Sequence, residues 1–394
     1  MDQYLERYVR IIIDVQLKLV EGDNLSINTE ARSMEFARSL AREAVLTTRL
    51  PVMIVETEAG KVIQAYPIDP KEKDLFRPEV GQAVMCHIVD LDNHPYDEDE
   101  EFDEICKDVA SLALYGALSD PIFLDRRVSV PWANIPYPGP RWATALLGHR
   151  ASDDEAWQLL AKIMRLESEE AASFWQGQAN VIAWRKKRLD ALSRSTVTLT
   201  GDGWSLRGSL APMTHFCGGA STIFSGRTFI PTLPIQAVVG SFASDTVNGT
   251  VVASRPFYVL GSRVDGASFT IEGGTVIQWH ARRGQEALDA YFAVDEGARR
   301  VSTLILTDAN TIESHHLEVG LHPHFHHEVE SAIGFGGFAI DTLDREVDEE
   351  KLPECRLADS LVRLAVPIGG THLSVVFDAD GEEIVMMEEG VFNE

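Results

Sequence analysis

The chain has 394 residues, 45% of them apolar, which is enough for two or three domains with sizeable cores and too many for a disordered chain. With 35 basic against 61 acidic residues the formal net charge is −26, which disfavours nucleic-acid binding and favours a cationic partner or high solubility. No run reaches the ~18 apolar residues of a membrane span, no basic leader precedes the apolar stretch 9–13, and Cys86, Cys106, Cys217 and Cys355 are scattered without a C-x-x-C, so a cytoplasmic protein with no membrane contact is expected.

Leu5, Tyr8, Ile12, Val15 and Leu19 recur at helical spacing, and Gly22-Asp23-Asn24 ends that helix. Residues 25–28 read as a short strand. Residues 31–46 read as a helix with Met34, Ala37, Leu40, Ala41 and Ala44 on one face, and 50–56 as a strand whose Pro51 limits its pairing. The alternation predicts an α/β N-terminal domain with a partly parallel sheet. Residues 83–91 make a further strand. The acidic run DEDEEFDE (97–104) reads as a solvated loop or the first turn of a helix over 102–117. Residues 127–130 lead into a proline-rich loop, VPWANIPYPGPRWA. Ser152 and Glu155 form a capping box for a helix carrying Trp157, Leu160, Ile163 and Met164, and a long helix covers 167–192.

From Thr196 onward short strands dominate, at 197–200, 204–206, 251–253, 269–271 and 276–279, separated by glycine and asparagine turns. Asn248-Gly249 is a dipeptide favoured in tight hairpins. One helix spans 284–292, another begins near Glu296, and 373–387 fold into a hairpin around Asp378-Ala379-Asp380-Gly381. The pattern predicts a mainly β (α+β) C-terminal domain at 196–394 after the N-terminal domain at 1–195, with no internal repeats.

Six of the twelve histidines fall between His315 and His327, in Ser314-His315-His316-Leu317 and GLHPHFHHEVE (320–330). Imidazole and carboxylate are common ligands of zinc and non-haem iron. Pro323 disfavours ligands at helical i, i+4 spacing, so the segment reads as an exposed loop or interface strip. The alternative is a mononuclear site on His324, His326 and Glu328 or Glu330. Gly201-Asp202-Gly203-Trp204 is a turn with no phosphate-loop lysine. Ser221, Ser225 and Ser241 lack a nucleophile elbow, and Cys217, two residues after His215, reads as a buried core cysteine.

Several stretches share one likeness: 18–57, 184–192, GRTFIPTLP (226–234) and, most specifically, DTVNGT (245–250) and DEGARR (295–300). Their order resembles the thermophilic-type metallo-aminopeptidases, the aminopeptidase T and aminopeptidase S group, over nearly the full length. The resemblance implies an aminopeptidase T-like fold, an active-site cavity in the C-terminal domain and a homodimer. It also implies two metal ions held by two glutamates, two histidines and an aspartate, with a tyrosine nearby. Carried over position by position, the glutamates fall on Ala237 and Thr303, the first histidine on Glu330 and the tyrosine on Gly337. The C-terminal histidine and aspartate fall on His372 and Ser374.

Of these ligand positions His372 keeps its chemistry. Two dications need several anionic oxygens, so no metal, no other cofactor and no catalytic residue is expected. The leading expectation is a pseudoenzyme that binds a peptide at a vestigial site formed by Ala237, Thr303, Glu330, His372 and Ser374. Its partner would be a ribosomal precursor peptide, cationic in view of the charge, held for modifying enzymes of a natural-product pathway. One alternative is a remodelled mononuclear metal enzyme using His372 and nearby His or Glu, a hydrolase or a relative of the ring-opening dioxygenases that resemble the same scaffold. The other is a structural subunit.

Overall fold

The computed structural model describes residues 2–58, 61–67, 83–94, 96, 127–311, 322–348, 350–370 and 372–393. The acidic run, the helix expected over 102–117, and His315 and His316 lie outside the described residues. Contacts divide the chain into two units. One takes in Met1–His94, Leu118–Asn180 and Gly219–Ile235, the other Pro95–Ala117, Val181–Gly218 and Gln236–Glu394.

The first unit is α/β. Strand β1 (Leu25–Thr29) pairs in parallel with β2 (Val52–Glu58). The hairpin partner β3 (Lys61–Pro67) lies antiparallel to β2. Strands β4 (Val84–Asp90) and β5 (Trp132–Tyr137) continue the parallel set in the order β3-β2-β1-β4-β5. Leu25 and Ile27 of β1 are fully buried, as are Phe36, Ala37, Leu40 and Ala41 on helix Met34–Thr48. That face carries the 3.6-residue spacing seen in the sequence. Tyr8 stacks on Phe36 with ring centroids 5.5 Å apart, and Trp157 meets both rings edge-on. The helix Asp153–Ile163 starts on the expected box: Ser152 Oγ accepts from Glu155 N, and Glu155 Oε2 accepts from Ser152 N at 2.8 Å.

The proline-rich stretch is a strand where a loop was expected. Proline lacks an N–H and suits a strand end or a sheet edge, and β5 is the edge strand of this sheet. Its Asn134 N–H is satisfied by Pro231 O at 2.8 Å. Residues 219–235, which follow the β-rich turn of the sequence, are held in the first unit by such bonds. Ile230 N donates to Gln16 O, and Arg227 reaches Asp23.

The second unit is mainly β, with two sheets facing one apolar core. The larger sheet has the order β15-β14-β11-β7-β6-β19-β20-β21. Its members are β6 (Thr196–Gly201), β7 (Trp204–Ser209), β11 (Asn248–Val252), β14 (Ser268–Glu272), β15 (Thr275–His280), β19 (Ser374–Ala379), β20 (Glu382–Glu388) and β21 (Val391–Phe392). The smaller antiparallel sheet runs β10 (Ala237–Ser241), β16 (Val301–Thr307), β17 (Ala332–Gly336) and β18 (Arg363–Pro367). Two short ladders complete the strands: β8 (Ser221–Thr222) with β9 (Thr228–Phe229) in the first unit, and β12 (Phe257–Val259) with β13 (Ser262–Val264) in the second. Val238, Leu304, Leu306, Ile333 and Val366 of the smaller sheet meet Val197, Phe269, Val375 and Phe377 of the larger in the core. The side chains between them in sequence point to the other face of the smaller sheet, which carries the positions of interest.

Two local expectations change. Asn248-Gly249 opens β11 and makes no hairpin turn. Gly249 has φ +133°, and Ser205 O crowds the place of a Cβ, so the glycine serves a close backbone approach. The helix expected from Glu296 is one 3₁₀ turn, Gly297–Arg299. The run from Gly334 begins as the interior strand β17, buried on both faces.

Candidate functional site

Ala237 opens β10, and its methyl joins Ile305 and Ala332 in a small apolar patch on the face away from the core. Its N–H donates to Glu328 Oε2 at 2.8 Å, and the same oxygen accepts from Gln236 N. Glu328 reaches this point because residues 322–330 fold over the sheet as a turn followed by the short helix His326–Val329. Phe325 and Val329, four residues apart, are fully buried beneath it, and His322 is buried as well. Thr307, opposite Ala237 in the ladder, donates its hydroxyl to His327 O at 2.6 Å. Residues 322–330 are thus a packed strap over the site, where an exposed loop was expected.

Glu330 follows that helix in extended conformation and is 3% exposed. Arg255 Nε donates to its Oε2 at 2.6 Å, and the Ser254 hydroxyl meets Oε1. Gly369 lies so close that a Cβ there would strike the Glu330 side chain. The Gly337 position is closed too, because a Cβ there would lie 2.8 Å from Ser360 O. The stem of Arg363 passes over it, with Nε 3.5 Å from where a Cβ would stand.

His326 Nδ1 is buried without a hydrogen-bond partner, as is Arg255 Nη2. Burial, then the charge of Arg255, holds the His326 imidazole well below its usual range, so it is neutral. The His327 side chain reaches the surface. Desolvation by the surrounding protein, with Arg255 and Arg363, lowers it to about 4.

The remaining positions are spread. Thr303 pairs with Ser241 and Gly334, four rungs from the Ala237 row, or roughly 13 Å along the strands. A bulge between Val301 and Thr303 intervenes between the DEGARR stretch and this position. Ser374 is half-buried at the first rung of β19, opposite Thr200 in the larger sheet, and His372 is exposed in the turn before it. That turn is tied toward the end of β16: Ala309 N donates to Gly390 O, and Gly390 N to Leu373 O, both at 2.8 Å. The structure therefore gathers Ala237, Glu328 and Glu330 at one end of the smaller sheet, links the 370–373 turn to that end, and leaves Thr303 apart.

The donor set does not suit a pair of metal ions. Ala237 contributes a methyl group to an apolar patch, and the Glu330 carboxylate is taken up by a guanidinium. The mononuclear alternative is not assembled either. Glu328 caps backbone amides, Glu330 faces Arg255, and among the described residues no group of three or more His, Cys, Asp or Glu is placed to hold a metal ion. Cys217 is half-buried. Its neighbour Phe216 enters the core instead, and His215 Nδ1 lies 2.9 Å from Asp344 Oδ1. Sequence reasoning missed Arg255, Ser254 and Arg363, because an arginine that meets a partner 75 residues away looks in sequence like any surface arginine.

The sequence matches the family described as Thermophilic metalloprotease (M29) over residues 1–392. It is 27% identical to aminopeptidase T of Thermus aquaticus over 66% of this chain and 64% of that protein, just under two thirds of the relative's length. It is 22% identical to aminopeptidase 2 of Geobacillus stearothermophilus over 95% of this chain and 94% of that one. Among solved structures, wild-type AmpT from Thermus thermophilus superposes with a TM-score of 0.80, at 21% identity and full coverage of both chains.

Proposed function

The chain belongs to the thermophilic metalloprotease family, M29, and on that premise we propose that it keeps the aminopeptidase scaffold to bind a peptide and not to hydrolyse one. The Arg255–Glu330 ion pair carries this reading. A buried carboxylate already matched by a guanidinium gains little from a metal ion and would lose its partner to admit one. Hydrolysis by this family needs a metal-activated water, whereas the surfaces that hold a chain are separable from that step. The relatives' names point to peptides as what the scaffold handles. The finer role we propose is holding a precursor peptide for a modifying enzyme. The −26 charge supports a basic peptide.

Glu330 is too deeply buried to probe peptide contact without disturbing the fold, so the informative positions are the exposed His372 and the half-buried Ser374. Titration calorimetry with a basic peptide should give roughly micromolar affinity. His372→Ala combined with Ser374→Trp should weaken it at least about fivefold. Metal-dependent release of N-terminal residues by the wild-type protein, or affinity indifferent to both changes, would overturn the reading.

A further inference from the structure

A cavity of about 540 Å³ lies in the second unit at the Val301 end of β16, roughly 20 Å along that strand from the Ala237 row. The geometry points to a binding site for a small zwitterion, a free α-amino acid or a dipeptide. Arg299 and Arg300 receive its carboxylate and Glu296 its ammonium group. The site stands apart from the peptide-binding reading and does not rest on it.

The cavity forms where the helix Gln285–Phe292 ends and β15 begins, and a backbone bridge between Thr275 and Arg300 fixes one side of it. Phe292 gives it a buried aromatic wall. Each arginine is pinned by one edge to neutral acceptors. Arg299 Nε donates to Phe292 O at 3.0 Å, and its guanidinium lies over Trp279, 5.2 Å from the ring centroid. Arg300 Nη1 donates to Thr275 Oγ1 at 2.7 Å and to Gly273 O at 3.3 Å. Both Nη groups of Arg299 and Nη2 of Arg300 are left for a ligand. Asp245, whose charge reaches Arg300, is itself paired with Arg356 at 2.6 Å. Asp295 accepts from Ala298 N, the Ser360 hydroxyl and Leu361 N. Glu296 is exposed at the cavity, and among the described residues it has no ion-pair partner. Two cations and two acids thus line one cavity without pairing with each other. A lone anion there is repelled by Glu296, and a lone cation by the arginines. A ligand that carries both charges meets an opposite charge at each end. Its planar carboxylate matches the free edge of a guanidinium. The pinned arginines lose little further freedom on binding it.

Ligand-observed NMR titration of the full-length protein tests this with four compounds: alanine, alanyl-alanine, N-acetyl-alanine and alanine amide. At least one of the two zwitterions should bind with roughly millimolar affinity, and removing either charge should weaken it at least about fivefold. The tighter of the two names the ligand as amino acid or dipeptide. Glu296→Gln should weaken the zwitterion but strengthen N-acetyl-alanine, because it removes the acid that repels a lone carboxylate. Arg299→Gln should weaken both compounds. Both positions are exposed, so the fold should hold, and a merely structural role for Glu296 would not move the two ligands in opposite directions. The wild-type series decides the matter even without the variants. If neither zwitterion binds, or if N-acetyl-alanine or alanine amide binds as tightly as they do, the proposal is overturned.

Discussion

Arg255 and Glu330 meet at 2.6 Å with side chains 7% and 2% exposed, so the pair must be judged as buried charge. Removing one partner strands the other. Arg255→Ala should cost about 3–5 kcal/mol in urea unfolding, whereas Arg255→Met with Glu330→Met should lose less than half of that. A double variant as unstable as the single one would mean that the charges do not act as a unit. His326 supplies a pH test. Its folded value is depressed, so between the unfolded value near pH 6.5 and the lower folded one the unfolded chain binds the extra proton. Its contribution to stability is intact above about pH 6.5 and is lost as the pH falls toward the folded value. The urea midpoint should therefore drop from pH 7 to pH 5 more steeply in wild type than in His326→Gln. Parallel slopes would contradict a neutral, buried His326.

At the scale of the elements, the smaller sheet decides what the site can hold. Ala237, Ile305 and Ala332 form an apolar floor beside a carboxylate, Glu328, already bonded to the Ala237 amide. Ala237→Glu would set a second carboxylate into that floor against the first. It should destabilise by about 2–4 kcal/mol and give no peptidase activity with added zinc or cobalt. Turnover by this single variant would show a metal centre one residue from completion. The same sheet shows what the sequence could not display. Strands such as β1 and β7 alternate between buried and less buried positions and were legible from period two alone. β16 and β17 are buried on both faces, so they carry no alternation, and their place in the site was visible only through family likeness. The strap was misread for the weight given to Pro323, although Phe325 and Val329 stand at the i, i+4 spacing of a short buried helix. β5 was misread through its prolines, which an edge strand tolerates.

For the molecule as a whole, the −26 charge acts on two expected associations with opposite sign. No helix among the described residues is long and apolar enough to cross a membrane. The dimer proposed from family likeness must bring two strongly acidic copies together, which their mutual repulsion opposes. A basic peptide is drawn in by the same field, which speeds encounter more than it tightens the final contact. Raising salt from about 0.05 M to about 0.5 M shortens the screening length from roughly 14 Å to roughly 4 Å. Self-association should then hold or strengthen, while the association rate of the basic peptide falls at least about tenfold. Light scattering at micromolar concentration and stopped-flow mixing over one salt series check both. Only a 43.6 kDa species throughout would remove the dimer. A peptide rate indifferent to salt would remove electrostatic steering, and the preference for a basic partner with it.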